Sequence, residues 1–362
     1  MLIYKDCQYH FFEFFNPDNG FLIRSDSTKT GKNPLMRSFP ELLDVGIMGH
    51  CQTANQHICK NAGIDCYQMA ELSKRQNMSF ENFCKIVNES SGKVFQIALG
   101  GAGDPNKHED FERILDYSLS HHIVPNYTTS GYNLMEKEVL ATKKYCGAVA
   151  VSFYSRFIGG KESNEATVRA IKRFIEAGCK TNVHYVVSTQ SIDEIIFRLE
   201  NDLFPNGVSA IVLLLYKPSG FGKLEKTLSY KAEKLKELIE VIETKKYSYE
   251  IGFDTCFTPA LLRYSKKIDF KSIDFCESAR FSMYIDCEMN AFPCSFDACK
   301  KQYMFPMKDK KIIDAWHSEQ FERFREKQEN SCNGCLKKEF CFGGCTLFNS
   351  VDLCNKNRCV QF

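Results

Sequence analysis

Residues 42–68 read LLDVGIMGHCQTANQHICKNAGIDCYQ. The apolar run 42–48 has the length of a buried strand and stops at Gly49. The loop that follows places cysteines at 51, 59 and 66. Three thiols in one loop pose a choice. A structural zinc ion takes four protein ligands. A four-iron cluster held by three thiolates keeps one iron open.

Outward from this stretch, strand and helix patterns alternate. Phe80, Phe83, Cys84 and Val87 recur at helical spacing behind Ser79, which predicts a capped helix over 79–87. VFQIAL (94–99) reads as a strand, and Phe111, Ile114, Leu115 and Leu119 mark a helix. Strands are expected at 123–129 and 147–153. A helix carries Val168, Ile171 and Ile175 and stops at Gly178. Residues 181–188 read as a strand, and 191–199 as a helix opened by a Ser191/Glu194 capping box. A buried strand at 209–216, a helix with Leu235, Leu238, Ile239 and Ile242, and a last strand at 249–254 complete the series. Strands joined through helices require a parallel sheet with right-handed crossovers. The expected fold is α/β, a partial (β/α)6 TIM-type barrel over 42–255. Its ligands belong at the C-terminal ends of the strands, where the three-cysteine loop begins. Residues 1–41 read as an N-terminal β-hairpin extension turning at Pro17-Asp18-Asn19-Gly20 and covering the barrel's bottom.

The composition narrows the function. The chain has 362 residues, 44% hydrophobic and 25% charged, with a net charge of +2. No Lys/Arg-rich run interleaves with aromatics, so no nucleic-acid partner is expected. No apolar stretch approaches the ~20 residues that span a bilayer, and the N-terminus lacks the pattern of an export signal. A cytoplasmic protein is expected, and there 18 cysteines point to metal or redox chemistry. Eleven fall within 256–359 and three within 51–66, whereas Cys7, Cys84, Cys146 and Cys179 are scattered and read as structural thiols.

The C-terminal cysteines have the most informative spacing. Cys332-x2-Cys335-x5-Cys341-x3-Cys345 is followed by Cys354 and Cys359 and preceded by Cys256, Cys276, Cys287, Cys294 and Cys299. That is too many thiols for one zinc and enough for two iron–sulfur clusters. RFSMYIDCEMNAFPCSF reads as a hairpin with its turn near 287–290. Cys287 at the tip and Cys294 near the base would be ~13 Å apart, too far to share a cluster. Cys256, just past the last strand, is the better partner for the base. In the middle of the chain, LGGAGDP puts Gly100, Gly101, Ala102 and Gly103 at a strand end with Asp104 beside them. Such a turn lets the backbone approach a ligand closely. The absence of a following Gly-Lys-Ser/Thr excludes a P-loop.

These features resemble the radical S-adenosylmethionine (SAM) enzymes with a C-terminal SPASM domain. The likeness rests on the three-cysteine loop ending Cys66-Tyr67, on LGGAGDP, similar to the family's Gly-Gly-Glu-Pro segment, and on the C-terminal cysteine set. Two departures stand out: Cys-x7-Cys-x6-Cys replaces the usual Cys-x3-Cys-x2-Cys, and Met289 stands where the family has Gly. The phrases FDTC and CESARFSMYID look most like peptide-maturing members. The resemblance implies a SAM-binding 4Fe–4S cluster on Cys51, Cys59 and Cys66 and a SPASM domain over 256–362 with two auxiliary 4Fe–4S clusters. One takes Cys256, Cys276, Cys294 and Cys345. The other takes Cys332, Cys335, Cys341 and Cys354, with Cys359 in reserve. SAM would lie against Gly100, Gly101, Ala102, Gly103 and Asp104, with Tyr67, Ser130 and Ser152 as further contacts. Cys287 and Cys299 become spare thiols, His108 and His184 read as structural, and Asp297 as an exposed carboxylate. The implied activity is oxidative modification of a ribosomally made peptide, a thioether or carbon–carbon crosslink, with an electron donor such as flavodoxin or ferredoxin. The alternatives are a formylglycine-forming sulfatase maturase and a non-catalytic zinc or iron–sulfur scaffold.

Overall fold

The computed structural model describes residues 1–28, 33–269, 272–332 and 335–354. Three strands come first, β1 (Leu2–Asp6), β2 (Phe11–Phe15) and β3 (Leu22–Asp26), paired antiparallel. The strand–helix series then runs β4 (Leu42–Met48), α1 (Ile58–Asn61), α2 (Phe80–Ser90), β5 (Gln96–Gly101), α3 (Phe111–Ser120), β6 (Val124–Thr129), α4 (Glu136–Tyr145) and β7 (Ala148–Ser152). A two-stranded flap, β8 (Phe157–Ile158) and β9 (Lys161–Glu162), precedes α5 (Glu165–Glu176), β10 (Thr181–Val187), α6 (Ile192–Asn201), β11 (Ala210–Leu215), α7 (Lys234–Thr244), β12 (Glu250–Phe253) and α8 (Thr258–Tyr264). The C-terminal part holds β13 (Ser282–Ile285), β14 (Asn290–Phe292), β15 (Phe305–Pro306), α9 (Ile312–Trp316), α10 (Glu319–Asn330) and α11 (Lys338–Cys341).

One ten-stranded sheet runs in the order β12-β11-β10-β7-β6-β5-β4-β13-β14-β15. Every pair from β12 to β13 is parallel, and the last two pairs are antiparallel. The edge strands β12 and β15 do not meet among the described residues, so the sheet is a partial barrel. Alternation assigns the faces. In β5, Ile97 and Leu99 pack in the core with Phe83, Ile86 and Ile114 of the covering helices. Gln96 and Ala98 face the inside.

Four sequence expectations change. The N-terminal segment is a three-stranded meander rather than a hairpin: the turn at 17–20 joins β2 to β3, and β1 adds a strand. A helix, α4, stands between β6 and β7 where none was read. Its buried side chains are Glu138, Val139, Ala141 and Thr142, too small and polar to show an apolar stripe. Ser191 and Glu194 form no capping box. Ser191 Oγ donates to the Val186 carbonyl and accepts from Ser188 N, and Glu194 accepts from Phe157 N and Arg198. The hairpin read at 280–296 is present as β13 and β14, and with β15 it extends the main sheet past β4, a join that was not read.

The meander seals the N-terminal ends of the parallel strands. Phe15 stacks on Phe95 at 5.2 Å, and Lys180 Nζ donates to Asn19 O at 2.6 Å. Behind it lies a cavity of about 340 Å³ lined by Gln96, Asn126, Asn182 and His184. The meander is anchored by Arg24, which binds Glu41 at 2.5 Å, Glu277 at 2.6 Å and Asp274 at 3.0 Å. Arg37, fully buried, pairs with Glu13 at 2.8 Å. Two guanidiniums thus face four carboxyls. Burial pushes Glu41 up to about 8 and Glu277 up to about 7.

Unfolded glutamates titrate near roughly 4.3. A carboxyl held above that value stabilises the fold most at low pH, and the contribution is lost as pH rises through the folded value. Stability against urea should therefore fall as pH rises from roughly 4.3 and level off above about 7 to about 8. Arg24→Met, which strands buried carboxylates, should cost about 3–5 kcal/mol. A flat pH profile together with a loss below ~1 kcal/mol would show that the cluster is solvated.

Candidate functional site

The site is built at the C-terminal ends of the strands. The loop after β4 folds back on the sheet: Met78 N donates to Ile47 O and Ala102 N to Met48 O, both at 2.8 Å. Gly49 is pressed against the backbone of Arg75 and Gln76, where a Cβ would sit 2.0 Å from the Gln76 carbonyl oxygen. Within this loop Cys51, Cys59 and Cys66 are half-buried. Burial pushes the Cys59 thiol up to about 12, helped by Cys66, Asp104 and Cys51, while a Tyr154 hydrogen bond opposes the rise. Cys66 is likewise raised by burial, against Ala70 and Gln68 backbone donors. The three thiols therefore lie within electrostatic reach of one another, with Asp104 and Tyr154 beside Cys59.

The glycine turn supplies the facing wall. Gly101 has φ +119°, and a Cβ there would meet Met48 O at 2.5 Å. A Cβ on Gly103 would meet His50 O at 2.5 Å. Both glycines are needed for the turn to lie on the cysteine loop. Gly100 is different: a Cβ there meets nothing within 4 Å, so open space adjoins the backbone at this strand end. Ala102 is buried. Asp104 spends both oxygens on Ser130, accepting from its N at 2.9 Å and its Oγ at 2.5 Å. That carboxyl is raised by burial.

Of the further predicted contacts, Ser130 is thus tied to Asp104, and Ser152 hydrogen-bonds Tyr154. Tyr67 turns toward the C-terminal hairpin, its ring 4.7 Å from Phe296. His108 is buried, its Nε2 3.0 Å from Met78 O, and is structural. His184, inside the barrel, is pulled down to about 4 by burial and is neutral. Asp297, expected to be exposed, is buried and accepts from Gln302 N and Tyr303 N. Sequence reading missed Tyr154. Its signal is its position two residues after Ser152, just past the end of β7, which reads equally as an aromatic core position.

Four C-terminal thiols gather beside the rim. Cys256 hydrogen-bonds Cys345, Cys345 acts on Cys276 and Cys294, and Cys276 acts on Cys294. In the Cys256–Cys345 pair, Cys256 is pushed up and Cys345 drawn down, because the first donates to the second and Lys217 stabilises the thiolate. Cys332 and Cys341 are buried and Cys335 and Cys354 half-buried in the following loops. Gly343 N donates toward Cys341 Sγ at 3.4 Å. Cys359 lies outside the described residues. Cys287, in the β13–β14 turn, has Arg75, Asp286 and Glu288 as its neighbours. Met289 in that turn has φ +61°, the left-handed geometry that favours glycine. Cys299 Sγ donates to Tyr67 O at 3.0 Å. Among the described residues no three His, Cys, Asp or Glu side chains form a site for a single metal ion. The thiol sets suit a cluster, in which each thiolate binds a different iron.

Residues 276–336 match the SPASM family model, described as an iron-sulfur cluster-binding domain. The chain carries a SPASM domain. Over 304 residues the chain is 24% identical to the mycofactocin maturase MftC of Mycolicibacterium smegmatis, spanning 80% of this chain and 76% of that one. Its fold is that of Streptococcus suis SuiB bound to precursor peptide SuiA, with a TM-score of 0.64, 18% identity, and 86% and 72% of the two chains covered. It also matches native anSMEcpe with bound AdoMet, at a TM-score of 0.61 and 14% identity over 89% and 96% of the chains. The SPASM match opens at Cys276, so it includes Cys294 but not Cys256 or Cys345.

The geometry separates Cys256 from Cys287. Cys256→Ser should lose part of the iron of anaerobically reconstituted protein, whereas Cys287→Ser should keep all of it, by iron and sulfide assay. The reverse outcome would mean that the turn, not the rim, supplies a ligand.

Proposed function

We propose that the chain is a radical SAM peptide maturase, acting in the cytoplasm on a ribosomally made peptide. The observation that carries the reading is the packing of the glycine turn on the loop of Cys51, Cys59 and Cys66, with Gly103 against His50 and Cys51 and Asp104 acting on Cys59, at the strand ends and beside a SPASM domain. A four-iron cluster bound there together with SAM would supply one-electron reductive chemistry, giving a radical able to take a substrate hydrogen.

The chain's own residues do the rest. Cys51, Cys59 and Cys66 would hold the cluster. Gly100 leaves room for a ligand to approach the backbone, and Gly101 to Asp104 fix that wall against the thiol loop. Ser130 holds the Asp104 carboxyl in place. Tyr154 sits between Cys59 and Ser152. The strands and their covering helices would enclose the reacting groups, which protects a reactive species. Cys256, Cys276, Cys294 and Cys345 would hold one auxiliary cluster and Cys332, Cys335, Cys341 and Cys354 a second, three clusters in all. An electron donor of the flavodoxin or ferredoxin class would reduce them. We divide the chain at 42 and 256, into meander, barrel and SPASM region.

The peptide reading is supported by the likeness to MftC, named a maturase, and to SuiB, whose structure holds a precursor peptide. A scaffold without catalysis has no use for a three-thiol loop packed on a glycine turn. No helix among the described residues is long and apolar enough to cross a membrane.

The test incubates reduced enzyme and SAM with the peptide encoded beside its gene. The peptide should lose two hydrogens without gaining aldehyde reactivity, and 5′-deoxyadenosine should accumulate. An aldehyde would make it a formylglycine-forming enzyme, and a methyl gain or turnover of small metabolites alone would overturn the reading. Changing Cys51, Cys59 and Cys66 together to Ala should abolish 5′-deoxyadenosine and remove about a third of the iron, one cluster of three.

A further inference from the structure

The segment Leu215–Gly222 is a bridge between the two thiol groups. Phe221 N donates to Cys66 O at 3.1 Å, and Gly220, at φ +60°, packs on Tyr67 O, where a Cβ would sit at 2.4 Å. On the other side Ser219 Oγ donates to Phe296 O at 3.3 Å. Between these contacts stands a buried lysine. Lys217 is 8% exposed, and its Nζ donates to Asp254 Oδ2 at 2.7 Å and to Leu215 O at 3.0 Å. It also lies over the Phe296 ring, 4.7 Å from the centroid. Asp254 in turn accepts from Cys256 N at 3.0 Å, and Phe296 N donates to Cys294. The ammonium is therefore one residue removed from two of the four rim thiols, and its charge acts on Cys256, Cys294 and Cys345.

A buried lysine is costly unless it is paired. Its pairing here holds it beside the rim thiols and not at the surface. A cation fixed in a low-dielectric interior acts strongly on any charge that changes nearby. We propose that Lys217 sets the reduction potential of the auxiliary cluster on Cys256, Cys276, Cys294 and Cys345, by stabilising its one-electron reduced form. This rests on the cluster assignment proposed above. Reduction adds one negative charge to the cluster and no proton, so a neighbouring cation raises the potential and a neighbouring carboxylate lowers it. Lys217 is thus a positioning residue for charge, and Asp254 is its counterweight.

The experiment is an EPR-monitored redox titration of anaerobically reconstituted full-length protein with dithionite. Iron and sulfide are assayed first for every variant. Lys217→Met should move one cluster's midpoint to more negative potential, Asp254→Asn should move the same midpoint to more positive potential, and Lys217→Arg should leave it near wild type. The opposite signs are what a purely structural role would not produce. If Lys217→Met fails to load its cluster, the sign of the Asp254→Asn shift decides alone. Unmoved midpoints in fully loaded variants would overturn this inference and leave the proposed function standing. Wild-type protein without sulfide would remove both.

Discussion

β4 is hydrogen-bonded along both edges, and the site depends on that. Asp44 stands opposite Ala98 of β5 and Tyr284 of β13, and Val45 opposite Leu99 and Ile285. Parallel pairing on both sides brings the glycine turn, the thiol loop and the C-terminal hairpin to the same end of the sheet. Gly46 shows how tight the junction is. A Cβ there would lie 2.2 Å from the Tyr284 hydroxyl. The strand that launches the three cysteines is therefore also the seam along which the SPASM region joins the barrel.

Burial sets the chemistry around that seam. Asp44 is raised to about 7 and His184 lowered to about 4, each by desolvation. Near neutral pH His184 is thus uncharged and Asp44 only part-ionised. Lys217, buried at the rim, is kept cationic by its partner Asp254. A fixed cation beside the rim thiols suits chemistry in which electrons, rather than protons, are moved across the site.

Much of this was legible from spacing. The Ser79 cap is there, with Ser79 Oγ accepting from Asn82 N. The strands at 42–48 and 181–187 lie where apolar runs placed them. Where the reading failed, local signals were weak or were overridden. The helix α4 buries Glu138 against Lys107 at 2.8 Å, a polar contact that hides its inward face from any hydrophobic periodicity. Ser191 has the residue type for a cap but finds closer partners in the preceding turn. Asp297 looks like a surface carboxylate because its backbone donors lie in a turn no pattern announces.

By itself the sequence determined the α/β alternation, the three-thiol loop after the first barrel strand, and the glycine turn. Each is written in residues that are neighbours along the chain, where periodicity and spacing report directly. Only the tertiary structure decided that Tyr67 faces Phe296, that Tyr154 stands beside Cys59, and that Lys217 is buried against Asp254 among the rim thiols. These contacts join residues from 37 to 229 positions apart. They exist because crossovers of a parallel sheet return every strand end to one edge, and spacing along a chain carries no trace of that return.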